Sequence, residues 1–529
     1  MSAIDYGVGR AVAVLGLALA SAPHARAQLT DLTQAPNAER AGIAKSLDEQ
    51  IGAGSGGWLV PDSSHYLIAR DPARAIRRGR QLFQRKFTRV QGLGSHAHDG
   101  MGDVATEAAI GAGFADSCAG CHGRPRGAAG FGGDVATRPD SRDAPHLFGL
   151  GVQEMLADEI TQDLRAIRER AIAEARSGRR AVTQPLHSKG ISYGVLRVSA
   201  LGRVDTSGVE GVDSDLRVRP FFAQGAVASI REFVVGALND EMGLQAVDPL
   251  LTAAAKGRRV ISPAGRVFDG SRDPVRAPLA RNASQDPDDD GVVNEVPAAL
   301  VDYLEFYLLN YFRPATYRQT PLTHAGRRLM KTLGCTDCHV PNLVIEHDRR
   351  VADVETRYAP QEGGMNRLYA TVSPRIVEED DSSGHPTIKW PAGGRFVVRD
   401  FYADLKRHDL GPRFHERQYD GTIATQFMTE PLWGVGSSAP YGHDGRSINL
   451  REVILRHGGE ARAARNAFAA LPEGAQLAVV EFLGSLVLFP PDDTASNLDP
   501  GDPATPGYPQ RGHGSIRLGV LFNDPNEPE

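Results

Sequence analysis

The chain has 529 residues, with 59 lysines and arginines against 65 aspartates and glutamates, and a formal net charge of −6 at pH 7. This near balance provides no basic field for nucleic acid, so we expect no nucleic-acid partner. The length predicts two or more domains, each able to bury its own core. The 58 glycines and 34 prolines indicate many loops between short elements.

The first residues carry the pattern of a secretory signal peptide. An apolar run from Ala11 to Ala20 is followed by Ala25-Arg26-Ala27. We expect residues 1–27 to be removed before Gln28 and the mature protein to be periplasmic or secreted. A buried or interfacial helix is the alternative, because Asp5 interrupts the usual basic start. No later stretch is long and apolar enough to span a bilayer, so we expect no stable membrane span after cleavage.

Two motifs place cysteines three positions apart with a histidine directly behind. They are Cys118-Ala119-Gly120-Cys121-His122 and Cys335-Thr336-Asp337-Cys338-His339, and together they use all 4 cysteines. This is the attachment signature of c-type haem, because both sulfurs can reach the porphyrin while the histidine turns to its iron. We therefore predict two covalently bound c-type haems, with His122 and His339 as proximal ligands. A Cys₄ zinc site and redox disulfides are the alternatives.

The segments around the motifs indicate a repeat. A basic amphipathic segment precedes each motif, at Pro72 to Phe87 and at His324 to Thr332, and a turn ending in Gly-x-Gly follows, at Ala144 to Gly151 and at Glu430 to Gly436. This order predicts duplication of one haem-binding unit, with chance similarity of short segments as the alternative. Apolar spacing predicts further helices over Glu154 to Ala175, Ser229 to Met242, Val296 to Phe312 and Leu471 to Val487.

The acidic loop from Asp286 to Glu295 opens with the D-x-D-x-D-G pattern of an EF-hand calcium loop. Carboxylates at alternate positions can converge on calcium, and glycine allows the sharp bend. Pro297 stands where the EF-hand has its bidentate glutamate, so Glu295 would close a shortened site. A solvated acidic turn is the alternative. The predicted calcium ligands are Asp286, Asp288, Asp290, Val292 and Glu295.

Four stretches carry a family resemblance: Arg142 to Gly151, Asp286 to Glu295, Phe401 to Pro412 and Pro431 to Glu460. Together with the two cysteine motifs, they make the chain from about Asp71 to Pro490 resemble the di-haem oxidoreductase, putative peroxidase family, which is related to bacterial di-haem cytochrome c peroxidases. The resemblance implies a mainly α fold, with two cytochrome c-like haem domains, long loops and little β-structure.

These observations divide the chain into five predicted segments. They are a signal peptide (1–27), an N-terminal extension (28–70), a first haem domain that includes the acidic loop (71–313), a second haem domain (314–490) and a Pro/Asp/Gly-rich tail (491–529).

The resemblance also implies a second axial ligand for the C-terminal haem. In the related peroxidases, a Pro-Tyr-x-His-Asp-Gly segment is followed, fourteen positions after its histidine, by the distal ligand, which is usually methionine. Here that segment is Pro440 to Gly445, and His457 stands at the ligand position. We therefore expect His339 and His457 to ligate a six-coordinate, low-spin electron-transfer haem. Two imidazoles favour ferric iron more than histidine with methionine does.

The first haem has His122 and no comparably placed sixth ligand, which leaves a position for peroxide or dioxygen. His96 and His98 lie on a glycine-flanked loop and are candidates for a removable ligand; solvated loop histidines are the alternative. Peroxide cleavage also needs a group that moves a proton between the two oxygens. Glu154 is the candidate catalytic residue by position, and an ordinary glutamate at a helix N-terminus is the alternative.

Together these features predict a periplasmic di-haem oxidoreductase of the cytochrome c peroxidase type. Electrons from a small redox protein, a cytochrome c or a cupredoxin, would enter at the second haem and pass to the first, where hydrogen peroxide is reduced. Two alternatives remain. One is a di-haem oxygenase or protein-maturation enzyme that uses dioxygen or peroxide, and the other is a non-catalytic di-haem electron carrier.

Overall fold

A computed structural model describes residues 46–96, 101–102, 109–110, 115–123, 129–135, 140, 142–312, 315–316, 319–354, 372–418 and 420–488. The predicted signal peptide, the C-terminal tail and His98 lie outside these residues. No helix in the described part of the chain combines the length and the apolar character that crossing a membrane requires.

Twelve α-helices form within the described residues. They are α1 Leu47–Ile51, α2 Ser64–Arg70, α3 Pro72–Gln84, α4 Cys118–His122, α5 Leu150–Gly178, α6 Ile230–Met242, α7 Pro249–Ala255, α8 Ala298–Asn310, α9 Pro321–Thr332, α10 Leu450–Arg456, α11 Arg462–Ala469 and α12 Glu473–Gly484. The helices predicted from apolar spacing are confirmed as α5, α6, α8 and α12, and the two basic amphipathic segments form α3 and α9.

The predicted mainly α fold with little β-structure is wrong. The structure is 37% helical and 16% strand. Its strands are β1 Met101–Gly102, β2 Ala109–Ile110, β3 Asp134–Val135, β4 Arg142–Asp143, β5 Val182–Ser188, β6 Ile191–Val198, β7 Val204–Asp205, β8 Arg259–Ile261, β9 Val267–Asp269, β10 Ala315–Thr316, β11 Leu343–Ile345, β12 Ala352–Val354, β13 Val372–Pro374, β14 Ile376–Glu379, β15 Ile388–Pro391, β16 Phe396–Val398, β17 Arg407–His408, β18 Glu416–Arg417, β19 Ile423–Ala424, β20 Phe427–Met428 and β21 Leu486–Val487.

Within the described residues these strands form ten small antiparallel sheets, of which β5-β6-β7 is the only one with three strands. The pairs are β1-β2, β3-β4, β8-β9, β10-β21, β11-β16, β12-β13, β14-β15, β17-β20 and β18-β19.

The largest sheet shows why the helical prediction failed. Lys189 and Gly190 both have positive φ, 51° and 82°, which suits the tight turn of a β-hairpin. On either side of the turn, buried and exposed positions largely alternate along β5 and β6. The β-branched and aromatic residues of β6, such as Ile191 and Tyr193, fill the buried positions. Short hairpins of this kind form in segments where the family resemblance implied loops.

Two helix crossings are built in the same way. Helix α3 packs on α8, and α9 packs on α12. A Cβ atom on Gly79 of α3 would overlap the carbonyl oxygen of Tyr303, and one on Gly326 of α9 would overlap the carbonyl oxygen of Ala478. Glycine is therefore required at both crossings for close backbone approach.

In the part of the chain that the structure describes, the apolar interior divides into three clusters. One joins α3, α6 and α8, and another joins α9, α10 and α12. The third lies on α5, β5 and β6, and it also contains Phe401 and Trp433. This third cluster combines residues from both predicted haem domains, so the two halves share a packed interior.

Candidate haem-binding cavity

A cavity of about 590 Å³ reaches both cysteine motifs, and most of the side chains around it are apolar. None of the four cysteines forms a disulfide, so each sulfur is free for a thioether bond. All the residues predicted to bind haem line this cavity: Cys118, Cys121, His122, Cys335, Cys338, His339 and His457.

The two motifs reach the cavity on different local backbones. The first forms α4, where the Ser117 hydroxyl caps the helix by accepting the Gly120 N–H at 3.1 Å. The second forms a 3₁₀ turn over Cys335–Asp337, followed by a hydrogen bond from the His339 N–H to the Cys335 carbonyl at 3.0 Å. In each motif, both cysteines and the histidine line the cavity.

Three cavity histidines share one hydrogen-bonding pattern. Their Nδ1 atoms lie 2.7 Å from the carbonyl oxygen of Pro145 for His122, 2.9 Å from that of Tyr402 for His339, and 2.7 Å from that of Val453 for His457. Because a carbonyl only accepts, Nδ1 carries the hydrogen and Nε2 keeps the lone pair. Each ring is therefore fixed in the tautomer that ligates a metal through Nε2.

The electrostatics of these rings suit metal ligation as well. Burial lowers the pKa of His122 and of His457 to about 4, and it also lowers the pKa of His339. All three rings line the cavity. His339 is near enough for its charge to contribute to the lowered pKa of His457. All three imidazoles are therefore neutral at pH 7, as iron ligation requires.

These donors fit two haems. The first motif supplies His122, and the second supplies His339 with His457 near it; His146, His408 and His443 also line the cavity. An apolar cavity with paired thiols and oriented imidazoles matches a covalently held porphyrin better than a Cys₄ zinc site, because each cysteine pair is followed by its own oriented histidine.

Glu154, the predicted catalytic residue, does not line this cavity, although its neighbour Gln153 does. The carboxylate is buried, accepts the Ile230 N–H at 2.8 Å and pairs with Arg349 and Arg266. Its side chain, in the first turns of α5, thus belongs to a buried ion-pair network.

Glu241 is the acidic residue of α6 that lines the cavity. It lies close enough to Cys121 for its charge, after burial, to raise the pKa of that thiol. The sequence analysis missed it because 120 positions separate the two residues in the chain. In the sequence, Glu241 stands four positions after Ala237, on the apolar face of the predicted helix, and this position could have indicated that it faces the interior.

Predicted calcium ligands of the acidic loop also hold the backbone. Asp286 accepts the N–H of Gly291 at 2.9 Å, and Glu295 accepts the N–H of Gln245 at 2.7 Å. A carboxylate oxygen can bind a cation and accept a hydrogen bond at once, so these contacts agree with either a calcium loop or an acidic turn.

His96 lies against this loop and is not among the residues described as lining the cavity. Its Nδ1 is 3.6 Å from Asp288 and 3.9 Å from Asp290, and the candidate ligand atoms of the three residues lie within 4.8 Å of one another. Asp290 also accepts the Val292 N–H at 2.6 Å. The structure therefore brings His96 to the predicted calcium site and not to the first motif.

A family model described as "Di-haem oxidoreductase, putative peroxidase" matches residues 370–486. The match includes the segment from Pro431 to Glu460, with His457, on which the resemblance was based. The resemblance to this family is thereby confirmed over these residues. No curated protein matches the chain.

Proposed function

We propose that this di-haem oxidoreductase, as its family match describes it, reduces hydrogen peroxide at the first motif with electrons received at the second. The observation that carries the proposal is the unequal environment of the two proximal histidines. His339 lies near a second imidazole, His457, that is oriented for ligation through Nε2, whereas His146, the imidazole near His122, has its Nε2 on the Trp433 carbonyl, and α6 presents apolar side chains and Glu241 to the cavity. Bound haems would supply the electron transfer and the reduction of the O–O bond.

The chain's own residues would hold and orient the reacting groups. The four cysteines fix both porphyrins, and Pro145 and Tyr402 fix the rings of His122 and His339 through Nδ1. Glu241 replaces Glu154 as the candidate for moving a proton from the near to the far peroxide oxygen. Reduction of one peroxide to two waters consumes two electrons and two protons, so a carboxyl group beside the first motif meets a requirement of the reaction.

The proposed electron donor is a small cytochrome c or cupredoxin. Support comes from the second motif, where Asp337 between the two cysteines is exposed, so that a partner can approach this side. The periplasmic location rests on the pattern of residues 1–27 and on c-type haem attachment, which takes place outside the cytoplasmic membrane in bacteria. Calcium binding at the acidic loop is part of the same proposal.

A second candidate function is oxygenation of an apolar substrate with dioxygen. The observation that favours it is the composition of the cavity wall near the first motif, where Phe221, Phe222, Phe233 and Leu238 stand together. Such a wall would exclude water and accept a hydrocarbon chain.

The deciding experiment mixes reduced, haem-loaded protein with hydrogen peroxide or with dioxygen and follows re-oxidation of both haems by stopped-flow absorption. Rapid two-electron re-oxidation by peroxide, with sustained turnover when a reduced cytochrome c is added, is the expected result. Re-oxidation by dioxygen alone favours the oxygenase. No reaction with either oxidant contradicts both and leaves an electron carrier.

A further inference from the structure

Two cavity-lining segments, one beside each motif, have the same fold. They are Pro220 to Ala237 and Pro440 to His457, and adding 220 to a residue number in the first gives its counterpart in the second. Each begins with a one-pair antiparallel bridge, Phe221 with Val227 and Tyr441 with Ser447.

The turns and helix starts inside the two segments also correspond. Gly225 and Gly445 have positive φ values of 66° and 62°. The next helix is capped in the same way in both: the Ser229 side chain accepts the Glu232 N–H at 3.0 Å, and the Asn449 side chain accepts the Glu452 N–H at 2.8 Å. The correspondence therefore holds in backbone conformation and capping and not only in spacing.

Equivalent arginines fasten the two helices to equivalent supports. Arg231 of α6 makes a buried ion pair with Asp302 of α8 at 2.8 Å. Arg451 of α10 donates to Gln476 of α12 at 3.0 Å. Helix α8 carries the crossing with α3 that precedes the first motif, and α12 carries the crossing with α9 that precedes the second. Each helix is thus fastened to the helix that crosses the segment before its own motif.

The same helix positions face the cavity in both segments. Phe233 and Val234 line it in the first, and their counterparts Val453 and Ile454 line it in the second. The next cavity-lining position is 237 in the first and 457 in the second. Ala237 therefore stands in the first segment where His457 stands in the second.

We propose that Ala237 is the residue that keeps the sixth position of the first haem open. This inference rests on the proposed function, since it gives the reason why only one iron is available to peroxide. A methyl group has no lone pair to offer iron and leaves room for a small ligand, whereas His457 presents an oriented imidazole at the corresponding place. The residue at this one position, which lies inside α6 in the first segment and directly after α10 in the second, would then determine which haem transfers electrons and which one reacts.

The test places histidine at the first site. In haem-loaded Ala237→His, the first haem should become low-spin, and the carbon monoxide bound by the reduced protein should fall from one molecule per chain to none. Ala237→Leu is the matched control, because it fills the same space without a nitrogen and should keep the ferric haem high-spin. Peroxide turnover is recorded on the same samples.

Each outcome bears on a different claim. Carbon monoxide binding and a high-spin signal that persist in Ala237→His overturn the inference, while peroxide reduction by the wild type would still support the proposed function. Carbon monoxide binding by a wild type that does not reduce peroxide supports the inference and contradicts the proposed function. A wild type that binds no carbon monoxide contradicts an open first haem altogether.

A steric series covers the case in which Ala237→His does not take up haem. Relative to the wild type, Ala237→Gly should bind added imidazole about tenfold more tightly, and Ala237→Leu should bind it about tenfold more weakly. Each tenfold change corresponds to about 1.4 kcal/mol. Equal imidazole affinity in all three proteins overturns the inference.

Discussion

The Nε2 atom of His408 lies 2.9 Å from a carboxylate oxygen of Asp404, and its Nδ1 atom lies 2.7 Å from Glu460. Burial opposes a charge on this ring, but the bonds to Asp404, Cys338 and Glu460 raise its pKa to about 11. The carboxylate contributions remain when Cys338 carries a haem. His408 is therefore a buried imidazolium that fixes the strand β17 beside the second motif.

This cation predicts a pH-dependent stability. Because the folded pKa lies above the ordinary value near 6.5, the proton adds stability that is complete below about pH 6.5 and is lost as the pH rises toward 11. His408→Leu should lower the free energy of unfolding by about 3 kcal/mol near pH 6, and by much less near pH 10. Urea unfolding at the two pH values measures the difference, and a penalty independent of pH argues against the charged ring.

Removing His457 should open the second haem. His457→Ala takes away the imidazole held by the Val453 carbonyl, so the ferric haem should change from low to high spin. Added imidazole should restore the low-spin spectrum, because it can enter the space left by the side chain. An unchanged low-spin signal in this variant would remove His457 from the ligand set.

Substitutions of Glu241 and Glu154 should have different effects, the first on peroxide turnover and the second on stability. Glu241→Gln keeps the shape of a cavity-lining side chain but cannot carry the proton, so peroxide turnover should fall by about 100-fold or more while the spectra stay unchanged. Glu154→Gln should instead lower the free energy of unfolding by about 3 kcal/mol, because Arg349 and Arg266 lose a buried partner. Peroxide turnover and urea unfolding are measured on both variants. Loss of turnover in Glu154→Gln, with turnover retained in Glu241→Gln, would make Glu154 the candidate proton carrier again.

The crossing of α9 and α12 should not tolerate a side chain at Gly326. Gly326→Ala would push a methyl group into the Ala478 carbonyl and should cost about 3 kcal/mol, with loss of haem content. The matched control is Gly474→Ala in α12, where nothing lies within 4 Å, and it should stabilise the helix by about 0.5–1 kcal/mol. Thermal unfolding compares the two, and equal effects would contradict the close crossing.

Calcium should stabilise the protein through the acidic loop. When free calcium is 100-fold above its Kd, the free energy of unfolding of chelator-treated protein should rise by about 2.7 kcal/mol. Asp288→Asn should abolish the gain, because this buried carboxylate stands at the centre of the predicted ligand set. Asp420→Asn, in another acidic turn, should retain it. No response to calcium in the wild type would support the metal-free turn.

The sequence predicts chemistry most specifically where consecutive residues carry it. Cys118 to His122 and Cys335 to His339 are each a single motif, and His457 followed from a family pattern of fixed spacing. Glu241 could not be chosen in advance, because only the fold places α6 against the first motif. The position of His96 depends in the same way on the packing of two distant loops.

The fold class failed for a different reason. The hairpin at Lys189 and Gly190 carries a readable signal, an alternating apolar pattern on both sides of a turn. The family resemblance implies helices, whereas this local pattern predicts strands. The repeat that pairs Ala237 with His457 is also visible in the sequence, but its meaning required the matching caps and turns.

The most direct test of the central claim, that the two irons are unequal, is electron paramagnetic resonance of the oxidised, haem-loaded wild type with both signals quantified. One high-spin and one low-spin ferric haem per chain, with only the high-spin signal changed by a small added ligand, is the predicted result. Two low-spin haems, neither of which responds to the ligand, would contradict it.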